Sequence, residues 1–198
     1  MRSLFAIALV AGARMAAGEP AVASPDPAAS RVGEANLESL DKRQGMTFGA
    51  MVGPSLTFGS DVGTGGALTL RMGQVATPST VMSLELNAAA VFHRVEDRLV
   101  ANNTGSLLAG VQYWVNPSLF VRAAAGFGNY HCKECGAPDA DGMRRTDKYA
   151  GVAGSVGAGI DVVRWGRLVL SFEVHSVTLF TLDGMLSNNA LGLAIALD

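Results

Sequence analysis

The stretch Met82-Ser83-Leu84-Glu85-Leu86-Asn87-Ala88 carries an apolar side chain at every second position and a polar one at each position between. A period of two residues is that of a β-strand, whose successive side chains point to opposite faces of a sheet. This stretch therefore predicts a strand with one apolar face and one polar face.

The same alternation recurs along the chain beyond residue 45, and we count eight such runs. Their approximate ranges are 47–58, 68–72, 82–93, 106–116, 119–127, 152–162, 168–175 and 191–198. A series of short alternating runs separated by turn residues is typical of barrels and sandwiches made only of strands. The pattern therefore predicts an all-β domain.

The charged residues of these runs share one face. They lie among the small polar residues, whereas the apolar face carries no charge; they are Arg71, Glu85, Arg122, Asp161, Glu173 and the terminal Asp198. An Arg or Lys on the lipid side near the bilayer midplane costs roughly 2–4 kcal/mol, so a membrane-spanning barrel must avoid it there. A soluble barrel would instead bury its apolar face. We therefore predict an eight-stranded antiparallel up-and-down transmembrane β-barrel.

The polar face consists mainly of Gly, Ala and Ser, whereas the apolar face is bulky. The interior of an eight-stranded barrel is just wide enough to be filled by side chains, so small residues with a few long charged ones fit it. Because buried charges need partners, we predict an interior polar network of Arg71, Glu85, Arg122, Asp161, Glu173 and His175. A filled interior also argues against a wide pore.

The links between the runs alternate in length. Tight links follow the second, fourth and sixth runs, at 76–79, 116–118 and 164–167; longer links follow the others, at 59–65, 94–103, 129–148 and 181–187. Outer-membrane barrels have short periplasmic turns and longer outside loops, and an even strand count leaves both termini in the periplasm. Four aromatic residues beside the tight links are predicted to form an interfacial girdle: Tyr113, Trp114, Phe120 and Trp165.

The N-terminal part of the chain differs in composition from the rest. Residues 1–23 are predicted to be a secretory signal peptide, with an apolar stretch over 4–13 and cleavage after Ala23. Residues 24–45 are polar and predict a periplasmic tether, with a small plug or docking helix as the alternative. The barrel then occupies 46–198. With 16% charged residues and a net charge of -2, the chain lacks the basic face that nucleic acid requires.

The segment Tyr130-His131-Cys132-Lys133-Glu134-Cys135-Gly136 lies in the longest link. Two cysteines in an exported protein usually form a disulfide, so a bridge between Cys132 and Cys135 is predicted. A metal site of Cys132, Cys135 and His131 is a weaker alternative, because no second ligand pair at zinc-finger spacing exists. A redox dithiol is weaker still, because the chain has no βαβ pattern. Neither a metal nor a cofactor is expected.

Residues 46–198 resemble the eight-stranded outer-membrane barrels of the OmpA-transmembrane-domain and OmpW-like kind, in strand count, loop alternation and segregation of faces. The resemblance implies an outer-membrane location and a non-enzymatic structural or surface-interaction role. The expected partners are outer-membrane lipid and lipopolysaccharide, the outer-membrane assembly machinery, and an envelope or surface protein at the 129–148 loop. The chain departs from the pattern at Ala196-Leu197-Asp198, where such barrels usually end in an aromatic residue.

The sequence leaves three other functions open: a narrow channel or small-solute transporter, a lipid-active barrel enzyme, and a soluble lipocalin-like periplasmic binder. His175 and Ser176 are neighbours on one strand, so their side chains point to opposite faces and cannot form a catalytic pair. Glu173 and His175 share a face and could form a dyad, although an internal polar cluster explains them more simply. A lipocalin-like binder would place its bulky apolar residues around a ligand cavity and its charges outside. We predict no catalytic residues.

Overall fold

Eight strands close into one barrel. The computed structural model describes residues 43–59, 62–95, 98–133, 147–182 and 184–197. Its strands are β1 (Met46–Gly59), β2 (Gly63–Thr77), β3 (Thr80–Val95), β4 (Arg98–Trp114), β5 (Leu119–Cys132), β6 (Asp147–Trp165), β7 (Leu168–Thr181) and β8 (Gly184–Leu197). Each strand pairs antiparallel with the next, and β1 pairs with β8 to close the sheet. The predicted fold class, an eight-stranded up-and-down barrel, is confirmed.

Several predicted segments lie outside the described residues: the signal peptide at 1–23, residues 24–42 of the tether, Cys135 and Asp198. The described part of the chain contains no helix that is long and apolar enough to cross a membrane. Strand β1 begins at Met46, where the barrel was predicted to start. Arg43, which was assigned to the tether, is nevertheless buried against the barrel. The residues that pack into the barrel therefore include Arg43, which precedes β1.

The alternation of residues along the strands decides which way each side chain points. Leu84 and Leu86 are 48% and 52% exposed on the outer wall, whereas Glu85 between them is 1% exposed in the interior. The other strands follow the same pattern, so most of the large apolar side chains cover the outer wall, while the charged side chains lie in the lumen together with a smaller set of apolar ones. For the described residues this is the reverse of a lipocalin-like binder, and that alternative is wrong.

The strands are longer than the predicted runs. They contain 14 to 19 residues, whereas about 9–11 tilted residues suffice to cross a bilayer. Much of the predicted links at 59–65, 94–103 and 181–187 is therefore strand, because pairing continues there, for example between Thr64 and Phe92. The prediction of long links is wrong at these three places. The link between β5 and β6 stays long, since β5 ends at Cys132 and β6 begins at Asp147.

The two ends of the barrel differ. We call the end with the tight links after β2, β4 and β6 the turn end, and the opposite end the loop end. Met46 and Leu197, at the outer limits of the strands, both lie at the turn end because the number of strands is even. Apolar clusters fill the lumen towards both ends: Val81, Trp114 and Phe120 at the turn end, and Leu108, Tyr130, Cys132, Ala153, Leu179 and Leu186 towards the loop end.

Candidate functional site

Four charged side chains from four strands meet inside the lumen. Arg71 Nη2 on β2 donates to Glu173 Oε1 on β7 at 2.5 Å, and Arg122 Nη2 on β5 lies 2.8 Å from Glu173 Oε2. Glu85 Oε1 on β3 lies 4.0 Å from Arg122 Nε. None of these side chains is more than 9% exposed. Two positive and two negative groups balance, which makes their burial tolerable.

Glu173 is the centre of this charged layer, because each of its oxygens faces a different arginine. The Arg122 contact is an ion pair without hydrogen-bond geometry, since Oε2 of Glu173 has no hydrogen-bond partner among the described residues. Gly157 on β6 leaves room for the Arg122 side chain, because a Cβ at that position would lie 2.9 Å from Arg122 Nε. A small residue at 157 therefore allows Arg122 to cross the lumen.

His175 belongs to a second polar layer, nearer the loop end. Its Nδ1 lies 3.3 Å from Thr69 Oγ1, which donates to Asn87 Oδ1 at 2.8 Å. Asn87 Nδ2 in turn donates to Ser106 Oγ at 3.2 Å. His175 Nε2 faces Glu85 Oε2 at 3.7 Å, which joins the two layers. The structure thus brings together five of the six residues of the predicted interior network.

The sixth residue, Asp161, lies apart in a cluster that closes the turn end. Arg43 Nη2 donates to Asp161 Oδ2 at 3.2 Å and to the Pro117 carbonyl oxygen at 3.1 Å. The guanidinium carbon of Arg43 lies 3.9 Å from the centre of the Trp114 ring. Asp161 also accepts a hydrogen bond from Ser171 Oγ at 2.9 Å. Arg43 precedes the alternating pattern, so no sequence signal identified it as an interior residue.

The four residues of the predicted aromatic girdle lie on two different faces of the barrel. Tyr113 and Trp165 lie on the outer wall, but Trp114 and Phe120 are only 5% and 2% exposed and lie in the lumen. Assigning Trp114 and Phe120 to the girdle is therefore wrong. The reason is the strand pleat: Trp114 directly follows Tyr113 and must point the other way. Phe120 is the β5 partner of Trp114, and their ring centres are 5.7 Å apart.

Two cavities in the described part of the lumen have volumes of about 30 Å³ and 40 Å³. Thr69, Asn87 and His175 line the first, on the loop-end side of the charged layer. Arg71 and Asp161 line the second, on the turn-end side. Since one water molecule needs roughly 10–15 Å³ of cavity volume, each cavity has room for only a few waters. In the described part of the lumen the charged layer separates them, so no wide pore runs through it.

The base of the long loop is held by a residue that the sequence did not single out. Asn102 Nδ2 donates to Tyr130 Oη at 2.9 Å and lies 3.3 Å from Cys132 Sγ, while Asn102 Oδ1 accepts from the Lys133 backbone N–H at 2.9 Å. Cys132 is 1% exposed and disulfide-bonded. The other cysteine of the chain is Cys135, which lies outside the described residues.

The alternative chemical sites are not assembled in the described residues. His131 lies between the inward-facing Tyr130 and Cys132 on β5, so strand alternation places it on the opposite face from the Cys132 sulfur, where it is half-buried. The described chain contains no group of three or more side chains that could hold a metal. His175 faces the lumen while Ser176 faces outwards. Glu173 contacts arginines through both oxygens and does not pair with His175.

The comparisons with known proteins concern structure. No protein-family model matches the sequence, and comparison with curated proteins gives no match. The crystal structure of Neisserial surface protein A is similar with a TM-score of 0.62 at 9% identity, covering 78% of this chain and 97% of that one. Ail, the attachment invasion locus protein of Yersinia pestis, in complex with the heparin analogue sucrose octasulfate, is similar with a TM-score of 0.56 at 12% identity, covering 78% and 99%. The chain therefore has the fold of the eight-stranded outer-membrane β-barrels.

Proposed function

We propose that this chain is an outer-membrane barrel with a structural or surface-interaction role and without a wide pore. The distribution of side chains between the two faces carries the proposal. Large apolar residues such as Val52 and Phe127 are 64% and 73% exposed on the outer wall, while the charged layer is buried inside. Such a wall is costly in water and favourable in hydrocarbon. In this arrangement the turn end and both termini face the periplasm.

Membrane fractionation combined with heat-modifiable gel migration tests the location. We expect the full chain in the outer-membrane fraction, and we expect unboiled protein in detergent to migrate differently from boiled protein. A chain recovered in the soluble periplasmic fraction would overturn the proposal.

The small cavities support a closed lumen. We expect proteoliposomes that contain the refolded chain to show no swelling with small sugars. Swelling at a rate typical of porins would contradict the proposal. Single-channel recording then distinguishes a sealed barrel from the narrow channel that the sequence left open.

The role in surface interaction is best supported at the loop end of β4, β5 and β6. Asn103, His131 and Lys148 are direct cross-strand neighbours on the outer face, and Lys133 follows two residues beyond His131. Lys133 and Lys148 are exposed, and nearer the turn end the same face becomes apolar. Basic side chains just beyond an apolar belt suit anionic lipid headgroups. We propose lipopolysaccharide phosphate as the group that these residues contact.

This contact is tested with the double variant Lys133→Gln/Lys148→Gln. At about 1 kcal/mol per basic residue near a membrane surface, binding should weaken about 30-fold. The measurement is the amount of lipopolysaccharide that the detergent-solubilised barrel retains. It is repeated with lipopolysaccharide from which the lipid A phosphates have been removed. Arg167→Gln at the turn end is the matched control. Equal retention by the double variant and the wild type would contradict the proposed contact.

A further inference from the structure

Four polar side chains form a patch on the otherwise apolar outer wall. They are Ser176 and Thr178 of β7 and Ser187 and Asn189 of β8, and we call them the hydroxyl patch. Their strand neighbours, among them His175, Leu179, Asn188 and Ala190, are buried in the lumen, so the four side chains point outwards. The register makes Ser176 the partner of Asn189, and Thr178 the partner of Ser187.

Ser187 is the centre of the hydroxyl patch. Thr178 Oγ1 donates to Ser187 Oγ at 3.3 Å, Asn189 Nδ2 donates to it at 3.5 Å, and Ser176 Oγ lies 3.5 Å away. These contacts are at the long limit for hydrogen bonds between oxygen or nitrogen atoms and are correspondingly weak. Asn189 Oδ1 accepts no hydrogen bond from the described residues. The patch therefore keeps both donor and acceptor capacity for an outside partner.

Large apolar side chains surround the hydroxyl patch on every side. Val174 and Leu191 lie towards the turn end, and Phe180 and Met185 lie towards the loop end. The flanking strands contribute Val156, Leu56 and Phe58. All seven side chains are between 49% and 62% exposed. The patch is therefore an island within the apolar wall and does not belong to a polar rim.

The depth of the hydroxyl patch follows from strand geometry. Ser176 lies eight residues beyond Leu168, where β7 begins at the turn end. At about 3.3 Å per residue and a tilt of about 40°, that is roughly 20 Å along the barrel axis. Thr178 and its partner Ser187 lie two residues further along, at roughly 25 Å. Since the apolar band of such barrels is about 25 Å tall, Ser176 and Asn189 lie inside the band, and Thr178 and Ser187 lie at its far edge. The acyl chains offer no hydrogen-bonding group to Ser176 and Asn189 at this depth.

We propose that the hydroxyl patch is the contact through which two copies of this chain pair side by side in the membrane. Hydroxyl groups both donate and accept, so a two-fold contact of this patch with itself is chemically self-complementary. The outward-facing described residues of β7, β8 and β1 include no charged side chain, so two such walls do not repel each other. Ser, Thr and Asn side chains hydrogen-bond across the interfaces between transmembrane helices, and the hydroxyl patch offers the same groups on a barrel wall. Phe58, Phe180 and Met185 then supply apolar contact around the polar centre.

Cysteine cross-linking in proteoliposomes tests the pairing. Cys132 is already disulfide-bonded and no free cysteine is present among the described residues, so Ser187→Cys introduces a unique thiol. A disulfide requires Cα atoms about 4.4–6.8 Å apart, so only copies that meet at residue 187 can form it. The control is Val111→Cys, on the outer wall of β4 across the barrel. Oxidation should give a covalent dimer of the Ser187 variant and none of the Val111 variant; equal dimer from both, or none from either, overturns the proposal.

A second measurement separates a second copy from a bound lipid. Thr178→Val/Ser187→Ala removes two hydroxyls and makes the wall more apolar, so the barrel should still insert and remain heat-modifiable. We expect its association constant, measured by sedimentation in mild detergent, to fall at least tenfold. Unchanged association would overturn the proposal. The proposal would also be overturned if the wild-type protein sediments as a monomer with a retained lipid and the double variant no longer retains that lipid. Membrane location and heat-modifiable migration are independent of either outcome, so they test the proposed function separately.

Discussion

The guanidinium group of Arg43 covers the indole ring of Trp114, with 3.9 Å between the guanidinium carbon and the ring centre. The same guanidinium donates to Asp161 on β6, so the segment ahead of β1 is tied to two other strands. The Arg43 side chain therefore closes the turn end of the lumen.

Replacing Arg43 by Gln should destabilise the barrel by about 1–3 kcal/mol, because it removes a buried cation–π contact and an ion pair with Asp161. The measurement is the urea dependence of the folded fraction in lipid vesicles, read from heat-modifiable migration. Gln44→Ala is the matched control, since Gln44 is the next residue and is exposed. If the two variants unfold at the same urea concentration, Arg43 does not hold the turn end.

Replacing Glu173 by Gln should cost about 3–5 kcal/mol, because Arg71 and Arg122 would remain buried with one fewer negative group. Ser83→Ala, an uncharged substitution in the same part of the lumen, should cost much less. Adding Arg71→Met to Glu173→Gln restores the charge balance and should recover part of the loss. Urea titrations of Glu173→Gln, of Arg71→Met and of the double variant measure the coupling between the two residues. Strictly additive effects would show that the charged layer does not act as a unit.

The sequence was sufficient for the strand count and for the direction of most side chains, because a charge such as Glu85 in an apolar run leaves one favourable face. The link lengths could not be predicted in the same way. Beyond the bilayer a strand needs no apolar face, so residues 63–65 pair as strand although they look like a loop. The inward orientation of Trp114 could have been predicted, because adjacent residues of a strand point to opposite faces and Tyr113 belongs to the apolar outer face. Arg43 and Asn102 were not predictable, since their roles depend on residues far away in the sequence.

Adding a methyl group at Gly159 should strain the turn-end cluster. A Cβ there would lie 2.9 Å from Cε1 of Phe120, and closer still to its Cζ. Overpacking of this kind typically costs about 1–3 kcal/mol. Phe120→Leu shortens the facing side chain, so the double variant Gly159→Ala/Phe120→Leu should be more stable than Gly159→Ala alone. Urea titration in vesicles checks the order; a double variant no more stable than Gly159→Ala would place the Phe120 ring elsewhere.

The two tryptophans report independently on which face of the barrel meets lipid. Trp165 is 63% exposed on the outer wall, whereas Trp114 is 5% exposed beneath Arg43. In vesicles of lipid brominated near the headgroup, Trp114→Phe should leave a fluorescence that is strongly quenched, because only Trp165 remains. Trp165→Phe should leave a fluorescence that hardly changes between brominated and ordinary lipid, because the barrel wall separates Trp114 from the acyl chains. Strong quenching of Trp114 with little quenching of Trp165 would mean that the side chains assigned to the lumen face lipid. That result would contradict the membrane-spanning arrangement.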